Sequence, residues 1–183
     1  MLRLARVLGM VVAAMLPVDV LAQSAGVEWA DVDCAQSRIW PTSGLRCRIS
    51  SDRSRDARSP QSLFRFWNAA GTVEDVTYYY YVAEATHPRL AVASTQELAD
   101  ALRSRSPQAR GSIGMSDIQQ HKDADFVSFR SAALESCIGI RKTGPNNALG
   151  TRWVLYGTRC VAPGQQISEA DIDSFVREAR LRE

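Results

Sequence analysis

Three features of this sequence predict an α+β fold on an antiparallel sheet. Short β-prone runs are separated by turn clusters, two capped helical segments stand apart from those runs, and the cysteines fall into two near pairs. The expected architecture is an antiparallel sheet with two amphipathic helices, one at the C-terminus, stabilised by disulfides Cys34–Cys47 and Cys137–Cys160.

The first segment reads as an export leader. Arg3 and Arg6 precede an apolar run from Val7 to Leu16, Pro17 ends the run, and Val20 and Ala22 occupy the small-residue positions that a signal peptidase reads. A bilayer-crossing helix needs roughly 20 apolar residues, so the run is too short to anchor. Residues 1–22 are therefore expected to be a cleaved signal peptide and residues 23–183 a single α+β domain, with an uncleaved anchor as the alternative. Export implies a periplasmic or secreted location, where disulfides persist. No C-x-x-C or C-x-x-C-H spacing occurs, which argues against redox exchange, zinc binding or haem attachment.

Between residues 27 and 40, Val27, Trp29, Ala30, Val32, Cys34 and Trp40 show no clean period, leaving a short helix and an irregular disulfide-closed segment both open. Leu45 to Ile49 alternates with Arg46 and Arg48 and reads as a short strand; Ser50 to Gln61, rich in Ser, Arg, Asp and Pro, reads as an exposed loop. Leu63–Trp67 and Val76–Ala83 form an expected hairpin with Asn68–Glu74 as its turn. Side chains alternate across a strand, so Tyr78 and Tyr80 share one face and Tyr79 and Tyr81 the other. One pair is expected in the core and the other as an exposed aromatic platform.

Leu90–Ala93 reads as a further short strand, and Ser94–Glu97 as a capping box opening a helix with Leu98, Ala101 and Leu102 on its apolar face, ending near Arg105. Residues 103–116, with Pro107, Gly111 and Gly114, read as flexible. Phe126, Val127 and Phe129 begin a third β region, continued by Cys137–Ile140. A Thr143–Gly150 loop carrying Asn146 and Asn147 leads to Trp153–Tyr156, and antiparallel pairing would set Cys137 opposite Cys160. Ser168 and Asp171 are spaced as a capping box, Ile167 and Ile172 as a hydrophobic staple, and Ile172, Phe175, Val176 and Ala179 at helical spacing. Arg177, Arg180 and Arg182 crowd the carboxyl end of that helix, where positive charge suits the helix dipole.

The net charge of +2 combines 22 basic and 20 acidic residues, too even a balance for long-range attraction to nucleic acid or an anionic membrane. Lys122 and Lys142 are the only lysines, an arginine bias that GC-rich codon usage explains. Catalysis near neutral pH usually recruits histidine, and only His87 and His121 are present. His121 lies in a polar run with Asp123 and Asp125 that reads as a solvated loop or helix end. As a metal set these residues lack the calcium-loop glycine and terminal glutamate. A triad with Ser112 or Ser116 would need a nucleophile elbow, and no G-x-S-x-G occurs.

No catalytic residue, metal or cofactor is therefore assigned. The expected function is a non-enzymatic binding or accessory module of the bacterial cell envelope, exported and free of any membrane span after cleavage. Its expected partner is an envelope protein or cell-surface polymer, not nucleic acid. Tyr78, Tyr79, Tyr80 and Tyr81, with Asn146 and Asn147, are the contact candidates. The alternative is a small extracytoplasmic hydrolase using His121 with nearby carboxylates.

Overall fold

A computed structural model describes residues 28–40, 43–53, 63–86, 95–148 and 150–182. The leader, the Leu90–Ala93 strand, the Ser94 cap and most of the 50–61 loop lie outside these residues.

Among the described residues ten strands form, β1 (Ala30–Val32), β2 (Arg46–Arg53), β3 (Leu63–Val73), β4 (Val76–Ala85), β5 (Gln119–His121), β6 (Ala124–Arg130), β7 (Ser136–Thr143), β8 (Asn146–Asn147), β9 (Gly150–Thr151) and β10 (Trp153–Val161), with helices α1 (Thr95–Arg105) and α2 (Glu169–Glu178). Eight strands make one sheet in the order β1-β2-β3-β4-β10-β7-β6-β5, every neighbour antiparallel. It is two four-stranded meanders joined where β4 meets β10. The chain leaves β4, passes through α1 to the far edge at β5, and returns inward to β10. Strands β8 and β9 form a separate small ribbon.

Each face of the sheet carries a helix. On one face Phe175, Val176 and Ala179 of the α2 segment pack with Tyr78, Tyr80, Val82, Ile138, Ile140 and Leu155. On the other, Leu98, Ala101 and Leu102 of α1 pack with Val127, Phe129, Val154 and Tyr156. Two glycines set these docking distances. A Cβ on Gly139 would lie 2.4 Å from Leu102 Cδ1, and one on Gly157 would lie 3.1 Å from Phe175 Cζ. The small residues in β7 and β10 thus let each helix settle on the strands.

Helix α2 starts at a capping box in which Ser168 Oγ accepts from the Asp171 amide and the Asp171 carboxylate accepts from the Ser168 amide. The disulfides are Cys34–Cys47 and Cys137–Cys160. Cys137 and Cys160 are direct cross-strand partners with Cα atoms 4.1 Å apart, on the α1 face. Cys34–Cys47 fastens the short 3₁₀ turn Cys34–Gln36 to β2.

The structure departs from the sequence expectations at several points. β2 runs on to Arg53, because Ser50, Ser51, Asp52 and Arg53 pair with Phe66, Arg65, Phe64 and Leu63 of the apolar run itself, whose backbone holds them in the sheet despite their polar side chains. β3 likewise continues through Asn68 to Val73, so the hairpin turn is Glu74–Asp75 and not Asn68–Glu74. Both turn residues take positive φ, as a two-residue connection matched to strand twist requires. Asn68 stays in the strand because it is 1 % exposed and its side chain is hydrogen-bonded at both ends, donating to the Tyr80 carbonyl and accepting from Arg48.

The Gln119–Asp125 run is a tight β5–β6 hairpin and not a solvated loop or helix end. The 103–116 segment, read as flexible, is pinned: Ser106 and Ala109 are buried, the Ser106 hydroxyl is 2.8 Å from that of Thr158, and Ile113 bridges to Arg130. No tyrosine pair stands out as an exposed platform. Tyr78, Tyr79 and Tyr80 are 7 %, 9 % and 1 % exposed, and Tyr81 is half-buried among Trp29, Phe66 and Arg105. Both faces of β4 are covered, so alternation sends tyrosines into two cores.

Phe175 is fully buried and its ring centroid lies 5.7 Å from that of Tyr80. Phe175→Ala should cost about 3–5 kcal/mol of unfolding free energy, read from a denaturant midpoint. Tyr80→Ala should destabilise comparably. Replacing Cys137 and Cys160 together by Ala should cost about 3 kcal/mol in the chain-entropy account, measured the same way against the oxidised protein.

Candidate functional site

On the α2 face, the segments 38–40 and 180–182 run side by side. Ile39 bridges to Leu181, Trp40 N donates to the Arg180 carbonyl at 2.9 Å, and Arg182 N donates to the Arg38 carbonyl at 2.7 Å. Alternation in this short ribbon turns Ile39 inward, where it is fully buried, and Trp40 outward, where it is 47 % exposed. Arg180 and Arg182 leave the ribbon on the outer side and bring their guanidinium groups over the Trp40 ring, 4.6 and 5.2 Å from its centroid.

Trp40 and Arg180 form one lip of an open groove of about 640 Å³. Val73, Val76 and Tyr78 supply its apolar wall, and Arg159, Arg177, Glu74 and Glu178 line the rest. Arg159 is held over the Tyr78 ring at 5.7 Å and paired with Asp171 at 3.2 Å, so it is fixed in place by its own neighbours. Burial raises the Tyr78 phenol above its usual value and pushes that of Tyr79 up to about 12. Neither ionises near neutral pH.

Of the contact candidates, the groove includes Tyr78 alone. Tyr80 lies beneath α2, and Tyr79 and Tyr81 face α1. Asn146 and Asn147 pair with Thr151 and Gly150 beyond the Thr143–Val154 end of the sheet, whereas the groove sits toward the other end of β10. The sequence reading missed Trp40, Arg159 and Arg180 as site residues. The arginines of the α2 terminus were visible as a cluster, but their partner on a segment more than a hundred residues earlier left no local signal.

His121 sits elsewhere on this face, at the end of β5 just before the tight turn into β6. Its Nε2 is 3.1 Å from Asp173 Oδ1 on α2. The carboxylates near it in sequence serve other partners: Asp123 pairs with Lys142 at 2.9 Å and Asp125 with Arg141 at 2.5 Å. The expected grouping of His121 with Asp123 and Asp125 is therefore corrected, since β6–β7 pairing brings Lys142 and Arg141 alongside those aspartates. Ser116 Oγ donates to the Asp117 carbonyl and accepts from the Ser128 amide, which engages it away from any triad. Among the described residues, Glu135 with Cys137 and Cys160 has metal-ligand spacing, but the two sulfurs are joined to each other.

Asp173 gathers Lys122, His121 and Arg177, tying the β5–β6 hairpin to α2. The Lys122 and His121 hydrogen bonds, with the charge of Arg177, lower its carboxyl from 3.8 to about 2. A depressed carboxyl contributes stability that is present above its unfolded value and lost as pH falls toward the folded one. Unfolding stability should thus decline between about pH 5 and pH 2 in the wild type, and this part of the decline should be absent in Asp173→Asn. Parallel denaturation series of the two proteins across that range check it.

Among the described residues no helix is long and apolar enough to cross a membrane. No protein-family model, no curated protein and no solved structure matches the chain.

Proposed function

We propose that this protein is an exported binding or accessory module of the bacterial cell envelope that captures its partner in the Trp40 groove without chemical turnover. The leader-like first 22 residues and the two disulfides support an oxidising periplasmic or secreted setting. The observation that carries the binding reading is Trp40, a large aromatic left half in solvent with two guanidinium groups stacked over its ring. Tryptophan and arginine dominate binding hot spots, and an aromatic fixed before binding loses little entropy when a partner covers it.

The partner is an envelope protein or a cell-surface polymer. The mixed arginine and glutamate rim supplies hydrogen bonds around the anchor, and Val73, Val76 and Tyr78 supply apolar contact. The hydrolase alternative rests on the His121–Asp173 contact, and Asp173 is already shared with Lys122 and Arg177.

The test expresses the full chain with its leader, immobilises the exported form, and compares capture from solubilised envelopes and cell-wall fragments by the wild type, Trp40→Ala and His121→Ala. Trp40→Ala should lose capture about tenfold or more with its melting temperature nearly unchanged, while His121→Ala captures normally. Equal capture by Trp40→Ala removes the groove reading. A hydrolytic activity lost only in His121→Ala replaces it with the enzyme.

A further inference from the structure

Beyond the partner groove, at the Trp153 end of the same face, lies a second and smaller cavity of about 250 Å³. Lys142, Arg38, Arg180 and Arg182 line it, with Trp153 and Leu155 as an apolar wall and Asp123 at its edge. We propose that this cleft binds the oxyanion of a small organic molecule, a phosphate or a carboxylate, with Lys142 as the central charge.

Lys142 is one of the chain's two lysines and projects onto the α2 face from the Thr143 end of β7, where its side chain is only 9 % exposed. A buried ammonium needs a counter-charge. The one it has, Asp123, is 70 % exposed in a hairpin turn, a carboxylate that water can take back. Arg38 pairs with Glu84 at 3.3 Å, while Arg180 and Arg182 are steered by Trp40 and, among the described residues, have no carboxylate partner. Among the described residues, four cations therefore meet two carboxylates around the cleft, a local excess of positive charge in a chain whose overall charge is only +2.

The cleft is also preorganised. Arg38 donates to the Arg182 carbonyl and Arg182 to the Ala35 carbonyl, so both guanidinium groups are braced by backbone. The Nε atoms of both groups are buried and so do not face the cleft. Its volume falls below the roughly 300–1,000 Å³ of drug-sized ligand sites, which selects a small ligand. Trp153 and Leu155 favour one with an apolar body behind the anionic head.

Calorimetric titration of the oxidised protein with inorganic phosphate, phenyl phosphate and benzoate tests the assignment. Saturable binding is expected, tighter for whichever phenyl compound carries the preferred head group than for inorganic phosphate, and the phenyl phosphate and benzoate arms tell the two anions apart. Lys142→Met, close to lysine in volume, should weaken binding about tenfold or more. Asp123→Asn, an exposed change that leaves the core intact, should tighten it by removing the competing carboxylate. Arg103→Gln, on the opposite face, should bind as the wild type does. Absence of saturable binding to all three probes, undiminished binding by Lys142→Met, or weaker binding by Asp123→Asn would overturn the proposal.

Discussion

The seam between β4 and β10 is the constraint on which the rest of the molecule depends. Among the described residues it is the one strand pairing that joins the two meanders, running from Trp153 against Glu84 to Cys160 against Thr77. Strands at the centre of a sheet with both faces covered must be apolar on alternate residues in both phases. β4 meets that demand with consecutive tyrosines, and β10 with Leu155 and Gly157 on one side and Val154, Tyr156 and Cys160 on the other. Each helix is then placed by the seam: α2 presses Phe175 onto Tyr80 and Gly157, and α1 sets Leu98 and Leu102 in the core that holds Tyr156. The second disulfide closes this centre by linking β10 to β7.

Local chemistry made some elements readable in the sequence. Ser168 and Asp171 declare a helix start because both halves of the capping box lie within one turn. The cysteines pair near in sequence because each pair is held by adjacent structure, β7 with β10 and the 3₁₀ turn with β2. What failed was everything decided by a distant partner. The polar stretch Ser50–Arg53 becomes strand because β3 offers it an unpaired edge, and Asn68 stays in a strand because Arg48 and the Tyr80 carbonyl satisfy its amide. The tyrosine alternation was right in phase, but the sequence contains no statement of how much lies above each face.

The same reasoning explains why the groove was invisible. Its exposed anchor, Trp40, is defined by a ribbon between residues 38–40 and 180–182, and the arginines above it look in sequence like ordinary dipole-matching charges. Near-neutral net charge conceals a local arrangement in which guanidinium groups are stacked on aromatic rings: Arg48 on Trp29, Arg105 on Tyr81 and Tyr156, Arg159 on Tyr78. An arginine bias that codon usage explains in number is thus used by the fold in place.

The outermost strands have a consequence for behaviour in a crowded compartment. β1 and β5 are each three residues long, and one carries Asp31 in a pair with Arg46 while the other ends at His121, tied to α2 through Asp173. Among the described residues, neither edge offers another chain a long run of free amide and carbonyl groups of the kind that seeds sheet-to-sheet growth. Self-association along the hydrogen-bonding direction is therefore disfavoured at these two edges, which leaves the faces, where shape and charge select the neighbour, as the better surfaces for assembly.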